Sequence, residues 1–290
     1  MRSRSLPRSL GANMPRTVAF SLPTDTAQFT ALQLQPKVLL SLSFSALARW
    51  LREHLVSFPD LIRRHGYSLV ILGANIRYEQ PLGFFDCDEL QVEAALRVLR
   101  HGKRVKLAVT FRGGEVRGAT VGILFCPVHI DDALSLGASP QALSDALLAR
   151  FQPDEIDSSA SARPVKDLLR RLEVEGSAER LAHAESQPFV IHRHMCEVAD
   201  QWAFLEVPAL TGGAREGLVM ENAGQAPLLT EGLRHPLRSF DMELFRPYFW
   251  FQEGTVETTA YRWDDHLTFV HHLLSKLPGE KVHGTIIEQF

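Results

Sequence analysis

The chain has 290 residues, 45% of them hydrophobic and 22% charged, which is the balance of a water-soluble globular protein with room for two domains. A formal net charge of −3 offers no basic field to recruit nucleic acid, and no run of about 18 apolar residues exists to span a bilayer. Three widely spaced cysteines, Cys87, Cys126 and Cys196, do not make a disulfide framework and fit a reduced, cytoplasmic setting.

Residues 1–14 carry arginines, no acid and no apolar run, and are expected to be disordered. TVAFSL (17–22) reads as a strand, and the turn-rich PTDTAQ (23–28) leads through FTALQL (29–34) to Pro36, which suits a first helical turn. From Val38 to about Val56 apolar residues fall on nearly every side, so this helix must be enclosed by protein. Four strands follow, at 68–82, 88–100, 103–112 and 115–130, with His101-Gly102 and Gly113-Gly114 at the turns. Residues 131–187 read as a helical and polar linker: an amphipathic helix at 139–151 capped by Ser139, a mobile polar stretch at 154–163, and one or two surface helices at 164–184. FVIHRHMCEV (189–198) reads as the first strand of a second domain. Glycines in PALTGGAREGLVM (208–220) predict a short or irregular helix there.

The chain is also written twice. NIRYEQPLGFF (75–85), VEAALRV (92–98) and GGEVRGATVGILF (113–125) are echoed by DMELFRPYFWF (241–251), VETTAYR (256–262) and GEKVHGTIIEQF (279–290). In each copy a strand ends at a proline (Pro81, Pro247), and a Val-Glu pair opens the next strand (Val92-Glu93, Val256-Glu257). Val116-Arg117-Gly118 then finds its echo in Val282-His283-Gly284. This predicts a duplicated β-rich domain.

The strand, long buried helix and meander at 17–130 resemble the hot-dog fold of acyl-CoA and acyl-carrier-protein thioesterases, and 241–262 resembles part of a second such domain. The resemblance implies an α+β fold of two tandem hot-dog domains, 15–130 and 188–290, with their sheets joined side by side. It implies an enzyme acting on acyl thioesters of coenzyme A or a carrier protein, with hydrolysis leading. An acyltransferase or decarboxylase and a non-catalytic acyl-binding protein are the alternatives. No cofactor is expected beyond the coenzyme A or phosphopantetheine of the substrate. No metal, nucleic acid or membrane partner is expected, and self-association is expected to give a homodimer.

Candidate chemistry falls on two loops. Asp25 and Gln28 lie between the first strand and the helix, where a carboxylate can attack or activate water and an amide can hold it. His192, His194, Glu197, Asp200 and Gln201 are the densest polar group, with Asp200 as leading base and His194 and Glu197 as alternatives. Gln201, Gln28, Asn75 and Asp241 are the substrate-binding candidates, the last two at matching places in the repeat. His271 and His272 are consecutive on a strand, so they point to opposite faces and do not share an ion.

Overall fold

The computed structural model describes residues 15–132, 137–158, 164–174, 178–183, 186–224, 226–263, 266–276 and 281–290. The first half runs β1 (Thr17–Pro23), α1 (Pro36–His54), α2 (Phe58–His65), β2 (Tyr67–Tyr78), β3 (Glu89–Leu99), β4 (Arg104–Gly113) and β5 (Val116–Asp132). A connecting stretch supplies β6 (Gly137–Pro140), α3 (Asp145–Leu148), β7 (Ile156–Asp157), α4 (Pro164–Val174) and β8 (Glu179–His183). The second half repeats the plan as β9 (Gln187–Val190), α5 (Val207–Asn222), α6 (Pro227–Gly232), β10 (Ser239–Leu244), β11 (Glu253–Trp263), β12 (His266–Ser275) and β13 (Val282–Gln289).

One continuous sheet runs in the order β1-β3-β4-β5-β2-β10-β13-β12-β11-β8. The two halves meet at an antiparallel pairing of β2 with β10, where Asn75 faces Asp241 directly. This seam removes two sheet edges that would otherwise stand open. Gly73 permits it, because a Cβ there would collide with the Met242 carbonyl of β10.

Helix α1 is buried along one broad apolar face but not all round, since Lys37, Ser41, Ser45, Ala48, Arg49 and Arg52 form an exposed stripe, which corrects the expected complete enclosure. Leu39, Leu40, Leu47, Trp50 and Leu51 are buried, each such side chain contributing about 1.5–3 kcal/mol. The Trp50 indole N–H donates to the Arg16 carbonyl at 2.9 Å, so its one polar atom is satisfied. The same core crosses the seam to Phe240, Met242 and Ile286. No helix among the described residues is long and apolar enough to cross a membrane.

Several local expectations are corrected. The glycine-bearing 207–222 segment is a full 16-residue helix, because burial of Val207, Thr211, Ala214 and Leu218 outweighs glycine's weak propensity. Between 139 and 151 only Asp145–Leu148 is helical, with Ser144 at the cap position, while 137–140 pairs with β5. After α4 the chain forms strand β8, not a further helix. Residues 154–157 are tied into the fold rather than lying outside it: Glu155 is buried and accepts hydrogen bonds from Arg16 Nε (2.8 Å), Arg16 Nη2 (2.6 Å) and the Gln152 N–H (2.8 Å). Burial alone would raise the Glu155 carboxyl, but these donors hold it below the usual carboxylate range. Residues 159–163 of that stretch, and 1–14, lie outside the described residues.

Candidate active site

The duplication supplies an internal control, because each residue of one half has a counterpart set by strand register. Asn75 pairs with Gly122 and Asp241 with Ile287, so Glu288 stands where the first half has Ile123. Leu107 faces Ile123 and Phe269 faces Glu288, which places His271 at the position of Val109. Val109 faces Ala94 and His271 faces Thr258, which matches Thr258 to Ala94. The helices align through equivalent backbone bonds: Leu34 N–H to the Leu82 carbonyl, and Trp202 N–H to the Tyr248 carbonyl. Arg215 then matches Leu47, and Thr211 matches Ser43. The repeat's Val-x-Gly echo is therefore one residue out of register, since a bulge falls at Gly118 and at His283 and pairs Ala119 with Gly284.

Four positions that are apolar in the first core are thus polar or charged in the second. Arg215 Nη1 donates to Glu288 Oε2, and Thr211 Oγ1 donates to Glu288 Oε1 at 2.9 Å. His271 Nε2 lies 3.8 Å from Glu288 Oε2, and its Nδ1 is 2.9 Å from Thr258 Oγ1. Glu288, His271, Thr211 and Thr258 are all buried, while 16% of the Arg215 side chain reaches solvent. Burial would raise the Glu288 carboxyl, but Arg215 and His271 outweigh it and hold the group at about 2, ionised at any physiological pH. Arg215 Nε and His271 Nε2 are buried with no hydrogen-bond partner. Unmade bonds of this kind cost about 1–3 kcal/mol each. The fold does not require them, as the first half shows.

The network adjoins the other domain. The Tyr78 hydroxyl donates to the Leu34 carbonyl at 2.8 Å, and burial raises its pKa, with Glu288 adding to the rise and Gln33 opposing it. Gln33 is buried, and its Oε1 has no partner. Tyr78, at the end of β2, is therefore near enough to Glu288 of β13 in the other half to feel its charge.

The residues singled out in the sequence fall elsewhere. Asp25 is exposed, its Oδ1 accepting from Ala27 N–H at 2.8 Å, and Gln28 Oε1 accepts from Asp25 N–H at 3.3 Å. Together they cap a 3-10 turn at Thr26–Gln28. His192 and His194 lie beyond the strand expected at 189–198: β9 ends at Val190, a 3-10 turn covers Arg193–Met195, and the two exposed rings stack at 5.8 Å. Asp200 occupies a left-handed turn position (φ 52°) and lies 4.0 Å from Arg193. Gln201 closes that turn, its carbonyl accepting from Glu197 N–H at 2.8 Å. Glu197 reaches solvent, yet the protein packed around it raises its carboxyl pKa. Asn75 lies on the sheet face away from α1 and α5, beside Gly122. Asp241 shares that face, buried and bound to Arg77 at 2.7 Å; burial raises its carboxyl and Arg77 only partly offsets this. Among the described residues no group of three or more His, Cys, Asp and Glu side chains is arranged to hold a metal ion.

No protein-family model matches the sequence, and no curated protein does. Solved structures do. A putative oleoyl thioesterase from Lactobacillus plantarum superposes with a TM-score of 0.68 at 10% identity, covering 97% of this chain and 96% of that one. An acyl-ACP thioesterase from Bacteroides thetaiotaomicron gives 0.62 at 7% identity, covering 94% and 96%. The 12:0-ACP thioesterase from Umbellularia californica gives 0.59 at 9% identity, again covering 94% and 96%. The fold is a double hot-dog. Within the double hot-dog, sequence reasoning passed over Arg215, Glu288, Thr258 and Thr211, and weighed His271 only as a metal ligand. The signal was in the repeat itself, where TIIEQF (285–290) sets a glutamate against the apolar TVGILF (120–125).

Proposed function

We propose that this chain is a hydrolase of acyl thioesters carried by coenzyme A or a carrier protein. The reading is carried by the charged network that replaces an apolar core in one half only. It is supported by a fold shared with proteins described as thioesterases. In the proposed chemistry Arg215 acts at the mouth of the network. Glu288 and Glu216 hold its Nη groups, and the unpartnered Nε–H polarises the thioester carbonyl and stabilises the oxyanion of the tetrahedral intermediate. His271, held at Nδ1 by Thr258 and facing Glu288 through Nε2 at 3.8 Å, gives a proton to the departing thiolate and recovers one from the attacking water. Glu288, held at about 2, is too weak a base for that step and serves to hold both partners.

One observation favours a second placement of the base. The raised carboxyl of Glu197 sits in the loop that also carries His194, Asp200 and Gln201. Turnover of acyl-CoA and acyl-carrier mixtures, followed by mass spectrometry, tests both. Free acid is expected, whereas a transferred acyl group, a decarboxylated thioester or unchanged substrate would reject hydrolysis. Loss of about 10²–10⁴-fold in His271→Gln and Arg215→Met places the chemistry at the network. A loss of that size in Glu197→Gln alone places it on the loop.

A further inference from the structure

The two halves also differ on the face of the sheet turned away from α1 and α5. In the second half this face is covered: Val165 and Leu172 of α4 pack on Trp263, Val270 and Ile287, with Tyr261 against them. Strand register matches these residues to Leu99, Ala108, Gly122 and Arg97 of the first half. There the side chains are smaller or charged, and a groove of about 990 Å³ is left open. That volume is at the upper end for small-molecule sites.

Its walls have a definite chemistry. Five cations line it, Arg97, Arg100, Arg104, Lys106 and Lys166, against two carboxylates, Asp157 and Glu243. The groove is cationic although the chain as a whole carries −3. Arg97 and Lys106 stand directly opposite one another on β3 and β4, a like-charge pairing that destabilises a sheet unless an anion relieves it. Leu72, Leu124, Val165 and Phe245 give the groove an apolar flank. Gly122 and Asn75 form its floor, with no space for a Cβ at Gly122 beside the Asn75 amide.

We propose that this groove binds a nucleotide-type ligand, an apolar ring system carrying two or more phosphates. Arginine forks and lysine ammonium groups match phosphate oxygens, and the apolar flank receives the ring. The concave shape and small-molecule volume favour such a ligand over the flat acidic surface of a protein. The site does not depend on the proposed thioester chemistry, which lies on the opposite face of the sheet.

The test is calorimetric titration of the whole chain with adenosine 3′,5′-bisphosphate, ADP and coenzyme A, with adenosine and polyglutamate alongside. Saturable binding of the phosphorylated ligands is expected, and adenosine alone is expected not to bind. Equal affinity for ADP and coenzyme A identifies a free-nucleotide site; tighter binding of coenzyme A identifies a site for a carrier's nucleotide end. Arg97→Glu and Lys106→Glu, both at exposed positions, are expected to weaken binding about tenfold or more without lowering the melting temperature, since each turns the like-charge pair into an opposite-charge one. Arg234→Glu, on the second half outside the groove, is expected to change nothing. Absence of saturable binding, equal binding in all variants, or binding of polyglutamate without the nucleotides would overturn the proposal.

Discussion

Replacing Arg215 by leucine, the residue its counterpart position carries, should be far more damaging than replacing the whole network. With Arg215 gone, Glu288 is left buried without its main counter-charge, a change that costs about 3–5 kcal/mol. The carboxyl gives an independent figure: held at about 2 against 4.5 in an unfolded chain, it contributes about 3 kcal/mol at neutral pH. The fourfold variant Thr258→Ala, His271→Val, Arg215→Leu, Glu288→Ile copies the first half's own solution. It should be neutral or more stable by about 1–4 kcal/mol. The pH dependence separates the cases further. A depressed carboxyl stabilises the fold above its unfolded value and loses that contribution as pH falls from about 4.5 towards about 2. In Arg215→Leu burial is opposed only by His271 and Thr211, the carboxyl rises from its depressed value, and acid should cost the variant less stability than it costs wild type. Urea denaturation at several pH values between about 3 and 7 reads both effects. A single variant within about 1 kcal/mol of wild type and with the same pH slope would refute the reasoning.

Glu155→Gln should cost about 3 kcal/mol in the same assay and expose residues 150–158 to early proteolysis, since it removes the charge that ties the connecting stretch to Arg16; unchanged cleavage would mean that the pairing strands hold this stretch without it. Gly73→Ala should cost about 1–3 kcal/mol by pressing on the Met242 carbonyl. Hydrogen exchange should quicken along β2 and β10 and stay slow in β12, and protection unchanged at the seam would show that it tolerates a Cβ.

The architecture was legible because its signals are local and periodic. The apolar run at 38–56 gave away the long helix, although its exposed stripe shows it is covered on one broad face only, and the prolines at 81 and 247 follow strand ends in both copies. The pairing of Asn75 with Asp241 turns their matched sequence positions into a physical contact across the seam. The site was less legible for a physical reason. Arg215, His271, Thr258 and Glu288 are scattered along four elements, and each alone reads as an ordinary helix or strand residue. Only strand register brings them together and shows that the first half fills the same places with Leu47, Val109, Ala94 and Ile123. The dense run at 192–201 was conspicuous in sequence because it is a solvated turn, where polar residues gather at little cost. Helix α5 was underestimated because glycine propensity is a small term beside the burial of one helix face.

The most direct test is thiol release from a panel of acyl-CoA and acyl-carrier substrates by wild type and by the fourfold variant, with folding of both verified by denaturation. Release by wild type and its loss, by about 10²-fold or more, in an equally stable fourfold variant is the predicted result. Thioester cleavage by the fourfold variant at the wild-type rate would contradict the account, because the network would then be a feature of packing alone.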